Sequence, residues 1–233
     1  MFYRELSEEE SSSIKSRILY EDNHILAINK LPGEITQGDK TGDECLAETL
    51  KAYIAARDSK PGRVFMGIPH RLDRPCSGIC IFAKTDKALS RLSEMFRCGT
   101  IHKTYWALCC AKPEREEAYL EDWLIRNEKQ NKSYVGKGKE AKLAKLNYKF
   151  LKSTERYHLL EVELLTGRHH QIRCQLSHIG CPIKGDLKYG APRSNPDGGI
   201  CLHSREAVFE HPVTHNTVTI TAPVPSTWKG ITD

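Results

Sequence analysis

A charged loop bracketed by two prolines leads directly into an apolar run in the first half of the chain. The loop reads Pro69-His70-Arg71-Leu72-Asp73-Arg74-Pro75, and the apolar run covers residues 78–83. Proline fixes φ and lacks a backbone donor, and it also restricts the residue before it. The pattern therefore predicts a stiff loop that presents polar side chains just before a buried strand.

Asp73 is the most informative residue of that loop. It is flanked in sequence by Arg71, Arg74 and His70, and cations within a few ångströms keep a carboxylate ionised. An ionised Asp73 can serve as a nucleophile or a base. The alternative is an ordinary ion pair between Asp73 and Arg74, because structural ion pairs bring together the same residue types. The loop alone does not decide between the two interpretations.

Length and composition indicate a single domain in a reducing compartment. The chain has 233 residues, of which 39% are hydrophobic, and this suffices for a sizeable core. No apolar run is long enough to span a bilayer, and the start, Met1-Phe2-Tyr3-Arg4, does not resemble a signal peptide. The nine cysteines are an odd number, which favours reduced thiols. We expect a cytoplasmic protein without membrane contact.

The order of predicted elements is mixed. Residues 1–16 are polar and are expected to form a flexible N-terminal extension outside the core, followed by one domain at 17–233. Apolar spacing predicts helices at 44–56, 85–99 and 169–178. Alternating or continuous apolar runs predict strands at 18–20, 24–29, 78–83, 103–110, 143–151, 157–165 and 218–222. This order favours an α+β fold with a mixed, mainly antiparallel sheet surrounded by helices.

Positive charge is concentrated between residues 126 and 156. This segment carries ten basic and three acidic residues, with Tyr134 and Tyr148 among them. A phosphate backbone would be attracted to such a segment. A solvated lysine-rich hairpin would have the same composition, so the charge alone leaves both interpretations open.

A second group of polar residues surrounds the start of the helix predicted at 169–178. The sequence there is Thr166-Gly167-Arg168-His169-His170-Gln171-Ile172-Arg173. Backbone amides at a helix start favour anions, so this segment is a candidate phosphate or carboxylate site. From within the helix, Arg173 can point back toward a carboxylate. Its pairing with Asp73, one hundred positions earlier, is a hypothesis about the fold that sequence spacing does not establish.

A metal site is the competing interpretation of the same helix. His170, Cys174 and His178 recur at every fourth position, Cys181 follows, and such ligands suit zinc. Side chains on three successive turns of a straight helix, however, diverge too far to meet one ion tetrahedrally. We therefore expect no metal.

A third motif, Lys103-Thr104-Tyr105-Trp106-Ala107, lies in a predicted strand. Side chains alternate along a strand, so Lys103 and Tyr105 share one face while Thr104 and Trp106 share the other. Tyr105 can border a cleft as a stacking platform, with Trp106 filling the core. An ordinary core or rim tyrosine is the simpler alternative.

Taken together, the three motifs resemble the RluA-type family of RNA pseudouridine synthases. They cover 70–78, 103–107 and 166–173, and shorter matches at 29–33, 176–183, 185–190 and 202–212 extend the resemblance to about residues 17–230. The small departures, Leu31 and Cys76, are not at catalytic positions. The resemblance implies a pseudouridine synthase fold with a central RNA-binding cleft. It also implies an isomerase that converts specific uridines of structured RNA, either rRNA or tRNA, to pseudouridine.

The resemblance also implies roles for individual residues. Asp73 matches the essential aspartate, Tyr105 the tyrosine that stacks on the target uracil, and Arg173 the arginine that pairs with the aspartate. Residues of the same motifs are expected to contact RNA: His70, Arg71, Arg74, Lys103, Arg168, His170 and Gln171. No cofactor is implied, since isomerisation neither gains nor loses atoms. We expect RNA as the partner, no obligatory protein partner, and a monomer.

Three other classes explain these residues less well. A non-catalytic RNA-binding module has no need of a carboxylate beside phosphates. A retaining hydrolase needs a second carboxyl group ~5 Å from the first, and no paired acidic motif is present in the matching segments. A zinc deaminase would carry His-x-Glu followed by Cys-x-x-Cys, which this chain lacks.

Overall fold

Residues 3–38 and 42–228 are described by the computed structural model, and they build one ten-stranded sheet with helices on both faces. The helices are α1 (Glu8–Arg17), α2 (Leu46–Arg57), α3 (Asp86–Cys98) and α4 (Gln171–His178). The strands are β1 (Ile18–Glu21), β2 (Ile25–Lys30), β3 (Ser77–Ala83), β4 (His102–Cys109), β5 (Glu117–Asn127), β6 (Lys132–Val135), β7 (Lys142–Ser153), β8 (His158–Leu164), β9 (Leu202–Glu210) and β10 (Thr217–Thr221). Within these ranges, no helix is both long and apolar enough to cross a bilayer.

The sheet order is β1-β2-β3-β9-β4-β8-β7-β5-β6, and β10 pairs with β9. Every pairing is antiparallel except that of β3 with β9, which is parallel. The predicted α+β fold with a mixed, mainly antiparallel sheet is confirmed. The order brings β3, β9 and β4 side by side, so the Asp73 loop before β3 and the strand that carries Tyr105 are close neighbours.

Apolar side chains are buried on both faces of the sheet. On one face, Leu50 of α2 and Leu176 of α4 pack with the main core. On the other, Leu92 of α3 packs with Ile25 and Ile81. Fully burying a side chain of this kind stabilises the fold by ~1.5–3 kcal/mol, so both layers hold the sheet in place.

Helix α3 forms where its capping residues predict it. The Thr85 hydroxyl accepts a hydrogen bond from the Ala88 amide at 3.2 Å, and Gly99 ends the helix in the left-handed region at φ 74°. Glycine adopts this conformation without the steric cost that a Cβ would add.

Three strands, β5, β6 and β9, are absent from the sequence prediction. Strand β5 alternates exposed and less exposed residues over its length, but charged side chains on its open face lower the apolar signal. The basic segment 126–156 comprises the end of β5, all of β6 and all of β7. It is therefore largely part of the sheet, with lysines on β6, on β7 and in the connections between these strands.

The N-terminal segment differs from the expected flexible extension. Its described part contains α1, which begins with a capping box: the Ser7 hydroxyl accepts from the Glu10 amide at 3.1 Å, and Glu10 Oε2 accepts from the Ser7 amide at 2.9 Å. Ile14, 2% exposed, belongs to the main core. One buried isoleucine thus fixes an otherwise polar helix to the domain. Residues 1 and 2 lie outside the described residues.

Candidate active site

Asp73 and Arg173 meet in the structure, although one hundred positions separate them. Arg173 Nη1 donates to Asp73 Oδ2 at 2.9 Å. The same guanidinium donates from Nε and Nη2 to the two carboxylate oxygens of Asp186, at 2.7 and 2.9 Å. Arginine forms such two-point contacts with a carboxylate because its donors lie in a rigid plane. Asp186 therefore fixes the plane of Arg173, and this plane orients Asp73.

The side chains of Asp186, Arg173 and Asp73 differ sharply in their exposure to solvent. The side chains of Asp186 and Arg173 are 1% and 5% exposed, whereas that of Asp73 is 30% exposed. Burial opposes the charge of Arg173, but hydrogen bonds to Asp186 and the charges of both carboxylates outweigh it and raise the pKa of Arg173. The result is a permanent buried cation that holds one accessible carboxylate.

A buried lysine supports the loop that carries Asp73. Lys30 is 0% exposed, and its ammonium donates to the carbonyls of Leu31, Arg74 and Cys76 at 3.0, 3.1 and 2.7 Å. Burial lowers the pKa of Lys30. Because the carbonyls of Arg74 and Cys76 belong to residues just after Asp73, Lys30 ties β2 to this end of the loop.

His170 lies against the other side of the Asp73 carboxylate. Its Nε2 is 3.6 Å from Asp73 Oδ2, and its Nδ1 is 3.1 Å from the Tyr189 hydroxyl. Burial lowers the pKa of His170 to about 3 despite the charge of Asp73, so the ring is neutral at pH 7. His170 has φ 51°, an uncommon conformation for a residue with a side chain.

Tyr189 connects this histidine to strand β6. Its hydroxyl accepts from the Ser133 amide at 2.8 Å and donates to the Ser133 carbonyl at 3.2 Å. Its ring centroid is 5.1 Å from the Arg173 guanidinium carbon. One tyrosine thus contacts β6, His170 and Arg173, and it fixes their relative positions.

Tyr105 lies at the floor of the same region, on β4 beside β9. It is 7% exposed and belongs to the main core. Burial raises the pKa of Tyr105, the hydrogen bond with Ser204 opposes this, and the negative charge of Asp73 adds to it. The phenol is therefore neutral at pH 7. Trp106 packs against the main core but is only partly buried, with the Arg205 guanidinium carbon 4.8 Å from its ring centroid, so it fills the core only in part.

The two arginines nearest to Asp73 in sequence, Arg71 and Arg74, are not its partners. Arg71 and Arg74 are exposed, and Arg74 Nη1 pairs with Asp43 Oδ2 at 2.8 Å. The predicted enclosure of Asp73 by neighbouring arginines is wrong, because the loop turns those side chains outward. The distant Arg173 takes that place.

His70 and Lys103 both lie beside the Phe96 ring, with the Lys103 ammonium 5.8 Å from its centroid. His70 Nε2 accepts from the Ile81 amide at 2.9 Å and its ring stacks on Phe96. Burial lowers the pKa of His70 to about 3, with the charge of Lys103 adding to the effect. Lys103 is 9% exposed, and burial lowers its pKa. Neither placement presents a charge at the surface.

Arg168 and Gln171 define the turn before α4. Arg168 is exposed, and its Nε donates to the Leu143 carbonyl at 2.8 Å. Gln171 is 3% exposed, with Oε1 accepting from Thr166 and Arg168 and Nε2 donating to the Lys145 carbonyl. Because both ends of its amide are satisfied internally, its placement does not support an RNA contact.

The side chains at every fourth position of α4, which the competing metal interpretation requires as ligands, include Cys174, and this residue makes another contact. Cys174 Sγ lies 3.3 Å from the Ser133 carbonyl, as a thiol donor. Among residues 3–38 and 42–228, no three His, Cys, Asp or Glu side chains are grouped so that they can hold a metal ion.

Four residues of the site received no role from the sequence: Lys30, Ser133, Asp186 and Tyr189. Three of them lie in the short segments that match the family, Lys30 at 29–33 and Asp186 and Tyr189 at 185–190. This match is the sequence signal that could have identified them as site residues. Ser133 lies in an unpredicted strand. A large open groove of about 570 Å³ lies elsewhere, and its lining residues, which include Thr104, Asn147 and Glu163, are not those of the Asp73 site.

Comparisons with known proteins point to one protein family. The family model described as RNA pseudouridylate synthase matches residues 24–178. The ribosomal large subunit pseudouridine synthase C of Vibrio parahaemolyticus is 31% identical over 92% of this chain and 68% of its own length. The tRNA pseudouridine synthase C of the same organism is 30% identical over 93% of both chains. The structure of human RNA pseudouridylate synthase domain containing 4 superposes with a TM-score of 0.79 at 22% identity, covering 94% of this chain and 92% of that one.

Proposed function

This chain belongs to the RNA pseudouridylate synthase family, and from that premise we propose that the Asp73 carboxylate exchanges the glycosidic bond of a uridine turned out of an RNA strand. The chain is an RNA pseudouridine synthase, an isomerase. The roles of individual residues, the choice of RNA and the assembly state are the parts that we propose.

The reaction sets the demands on the site. The bond from N1 of uracil to C1′ of ribose breaks, the base turns, and a bond from C5 to C1′ forms. The proton on C5 is lost and N1 gains one, so the atoms balance without a cofactor. The step needs an anionic group beside the sugar, either as a nucleophile or as a stabiliser of developing positive charge.

The carboxylate of Asp73 meets that demand. Among the described residues, both of its contacts reach Oδ2, from Arg173 and His170, which leaves Oδ1 for the sugar. The neutral His170 adds no competing positive charge. Tyr105 holds the detached base through its ring, because a neutral phenol with a raised pKa is better suited to stacking than to taking a proton.

The single observation that carries this proposal is the buried Asp186–Arg173 pair holding an accessible Asp73. It also argues against a hydrolase. Asp186 is 1% exposed and bound at both oxygens by Arg173, so it is not free to act as the second carboxyl group that a retaining hydrolase requires.

RNA recognition is proposed to combine charge and base extrusion. A stacked uridine is out of reach, and unstacking it costs a few kcal/mol. The basic segment 126–156 and the exposed Arg71, Arg74 and Arg168 supply favourable phosphate contacts. By analogy with the relatives named above, we propose rRNA or tRNA as the substrate. We also propose that the enzyme acts in the cytoplasm as a monomer without an obligatory protein partner.

The test is a mass balance on RNA from a strain that lacks the gene. Purified protein is incubated with that rRNA and tRNA, and the digested nucleosides are quantified. We expect one pseudouridine for each uridine lost and no free uracil. Release of uracil would show a hydrolase, and absence of conversion in both RNA pools would overturn the proposal. Binding is expected to weaken as salt rises, since counterion release drives phosphate contacts.

A further inference from the structure

Strand β6 is attached to the wall of the Asp73 site by one buried residue. Ser133 is 2% exposed, its backbone is bonded to the Tyr189 hydroxyl, and its hydroxyl donates to the His169 carbonyl at 2.7 Å. The hairpin before it is fixed as well, because Lys188 Nζ donates to the Asn131 carbonyl at 3.0 Å. The position of β6 relative to the site is therefore well defined.

The residues on either side of Ser133 carry a cation and an exposed ring. Tyr134 is 41% exposed, and the Lys132 ammonium is 5.1 Å from its ring centroid. The same ammonium is 5.0 Å from the Tyr189 ring centroid, and that ring contacts Arg173. Rings and cations thus alternate from the surface at Tyr134 to the Arg173 that holds Asp73.

Within the proposed function, on which this inference rests, we propose that Tyr134 and Lys132 form a platform for a nucleotide that flanks the target uridine. The base stacks on the exposed ring of Tyr134, and Lys132 neutralises its phosphate. A base that is extruded into the site leaves its neighbours unstacked, and an aromatic ring at the rim replaces part of the lost stacking.

The charge around Tyr134 favours RNA over a protein partner. Between residues 126 and 139 there are five basic residues and one acidic residue. Arg126, Lys129, Lys137 and Lys139 are exposed. A polyanion fits such a surface, whereas an apolar docking site would lack this charge.

The chain offers a matched control for Tyr134. Tyr119 on β5 is 50% exposed, and its hydroxyl donates to Glu121 Oε2 at 2.6 Å. The Tyr134 hydroxyl likewise donates to a nearby side chain, Gln130 Oε1, at 2.5 Å. Both tyrosines are exposed strand residues with a local hydroxyl partner, but only the Tyr134 ring is connected to the Asp73 site, through Lys132 and the Tyr189 ring.

The experiment measures stacking directly. A short single-stranded RNA of mixed sequence carries fluorescent 2-aminopurine on either side of a central uridine, and its quenching is titrated with wild-type protein, Tyr134→Ala, Tyr134→Phe and Tyr119→Ala. We expect Tyr134→Ala to weaken affinity about 5- to 150-fold, equivalent to the ~1–3 kcal/mol of one stacked base, and to abolish quenching. Tyr134→Phe and Tyr119→Ala are expected to match the wild type. Thermal unfolding of each variant confirms that it is folded.

Activity on rRNA and tRNA from the gene-deletion strain separates the two claims. Tyr134→Ala is expected to raise KM with little change in kcat, since the platform binds substrate and transition state alike. Quenching and affinity unchanged by Tyr134→Ala would overturn the platform while leaving the synthase activity intact. A changed oligomeric state in Tyr134→Ala with unchanged RNA affinity would show a protein-contact surface and also overturn it. Quenching that depends on Tyr134 in a protein without synthase activity would support the platform and refute the proposed reaction.

Discussion

Removing one member of the Arg173–Asp186 ion pair is predicted to destabilise the fold more than removing both, and this coupling can be separated from catalysis. We consider the variants Arg173→Met, Asp186→Leu and the double variant. Removing one partner of a buried pair typically costs ~3–5 kcal/mol, because the other charge stays buried without compensation. Replacing both by apolar residues of similar volume is often neutral. The double variant is therefore expected to be more stable than either single variant.

The structure orders the two single variants. In Arg173→Met, the 1% exposed Asp186 loses the cation that binds both of its oxygens, so the cost is at the upper end, ~5 kcal/mol. In Asp186→Leu, Arg173 keeps Asp73, whose side chain is 30% exposed, so the cost is nearer ~3 kcal/mol. For a domain of this size, these losses lower Tm by roughly 6–20 °C.

Urea unfolding of the four proteins measures the coupling, and pseudouridine formation is assayed in parallel. Asp186→Leu keeps the Arg173–Asp73 hydrogen bond and is expected to retain part of the activity. The double variant is expected to regain stability but not activity, because Asp73 has lost its guanidinium. Single variants that each cost less than ~1 kcal/mol, or a double variant that loses the sum of both, would refute the reasoning.

Three further predictions concern stability. Burial lowers the pKa of His170 to about 3 and of His203 to about 4. Below pH 6.5 the unfolded state therefore binds more protons than the folded state. As the pH drops from about 6 to 4, the free energy of unfolding is expected to fall by ~1.4 kcal/mol per pH unit for each of these histidines. Lys30→Met removes the ammonium donor from three carbonyls, of which that of Arg74 still accepts from the Gly33 amide at 2.8 Å, and is expected to cost ~1–3 kcal/mol and to lower kcat. Gly78→Ala is expected to cost ~2–5 kcal/mol, because φ is +106° and the added Cβ lies 2.3 Å from the Ser204 carbonyl oxygen. Gly33→Ala, at φ +89° in open space, is expected to cost only ~1–2 kcal/mol.

Urea denaturation midpoints check all three. A free energy of unfolding that stays constant between pH 6 and pH 4 contradicts the assignment of neutral buried histidines. Wild-type stability and kcat in Lys30→Met would show that the three carbonyls are satisfied in another way. Equal costs for Gly78→Ala and Gly33→Ala would contradict the close approach of Gly78 to β9.

Local patterns predicted the elements whose apolar periodicity and caps agree. Helix α3 combines Thr85, an apolar stripe and Gly99, and it forms where expected. Strand β5 was missed because alternate positions on its open face are occupied by charged or exposed residues such as Glu117 and Glu121. Helix α1 was missed because only Ile14 is buried, and one apolar residue produces no periodic signal.

The site was less predictable than the fold because its contacts are distant in sequence. The Asp73–Arg173 hydrogen bond is present as hypothesised, but the Arg74–Asp43 pair depends on how the loop turns. The second carboxylate of the Arg173 cluster, Asp186, lies in a segment that matches the family, but no local pattern assigns it a role. Which side of a motif faces inward follows from packing, and sequence spacing does not contain that information.

The most direct test of the account replaces Asp73 by asparagine, which keeps the shape of the side chain and removes its charge. RNA affinity and single-turnover pseudouridine formation are measured on the same preparation, with rRNA and tRNA from the gene-deletion strain. The account predicts that Asp73→Asn binds RNA almost as tightly as the wild type and forms no detectable pseudouridine. Turnover comparable to that of the wild type would contradict it, because the chemistry would then not depend on this carboxylate.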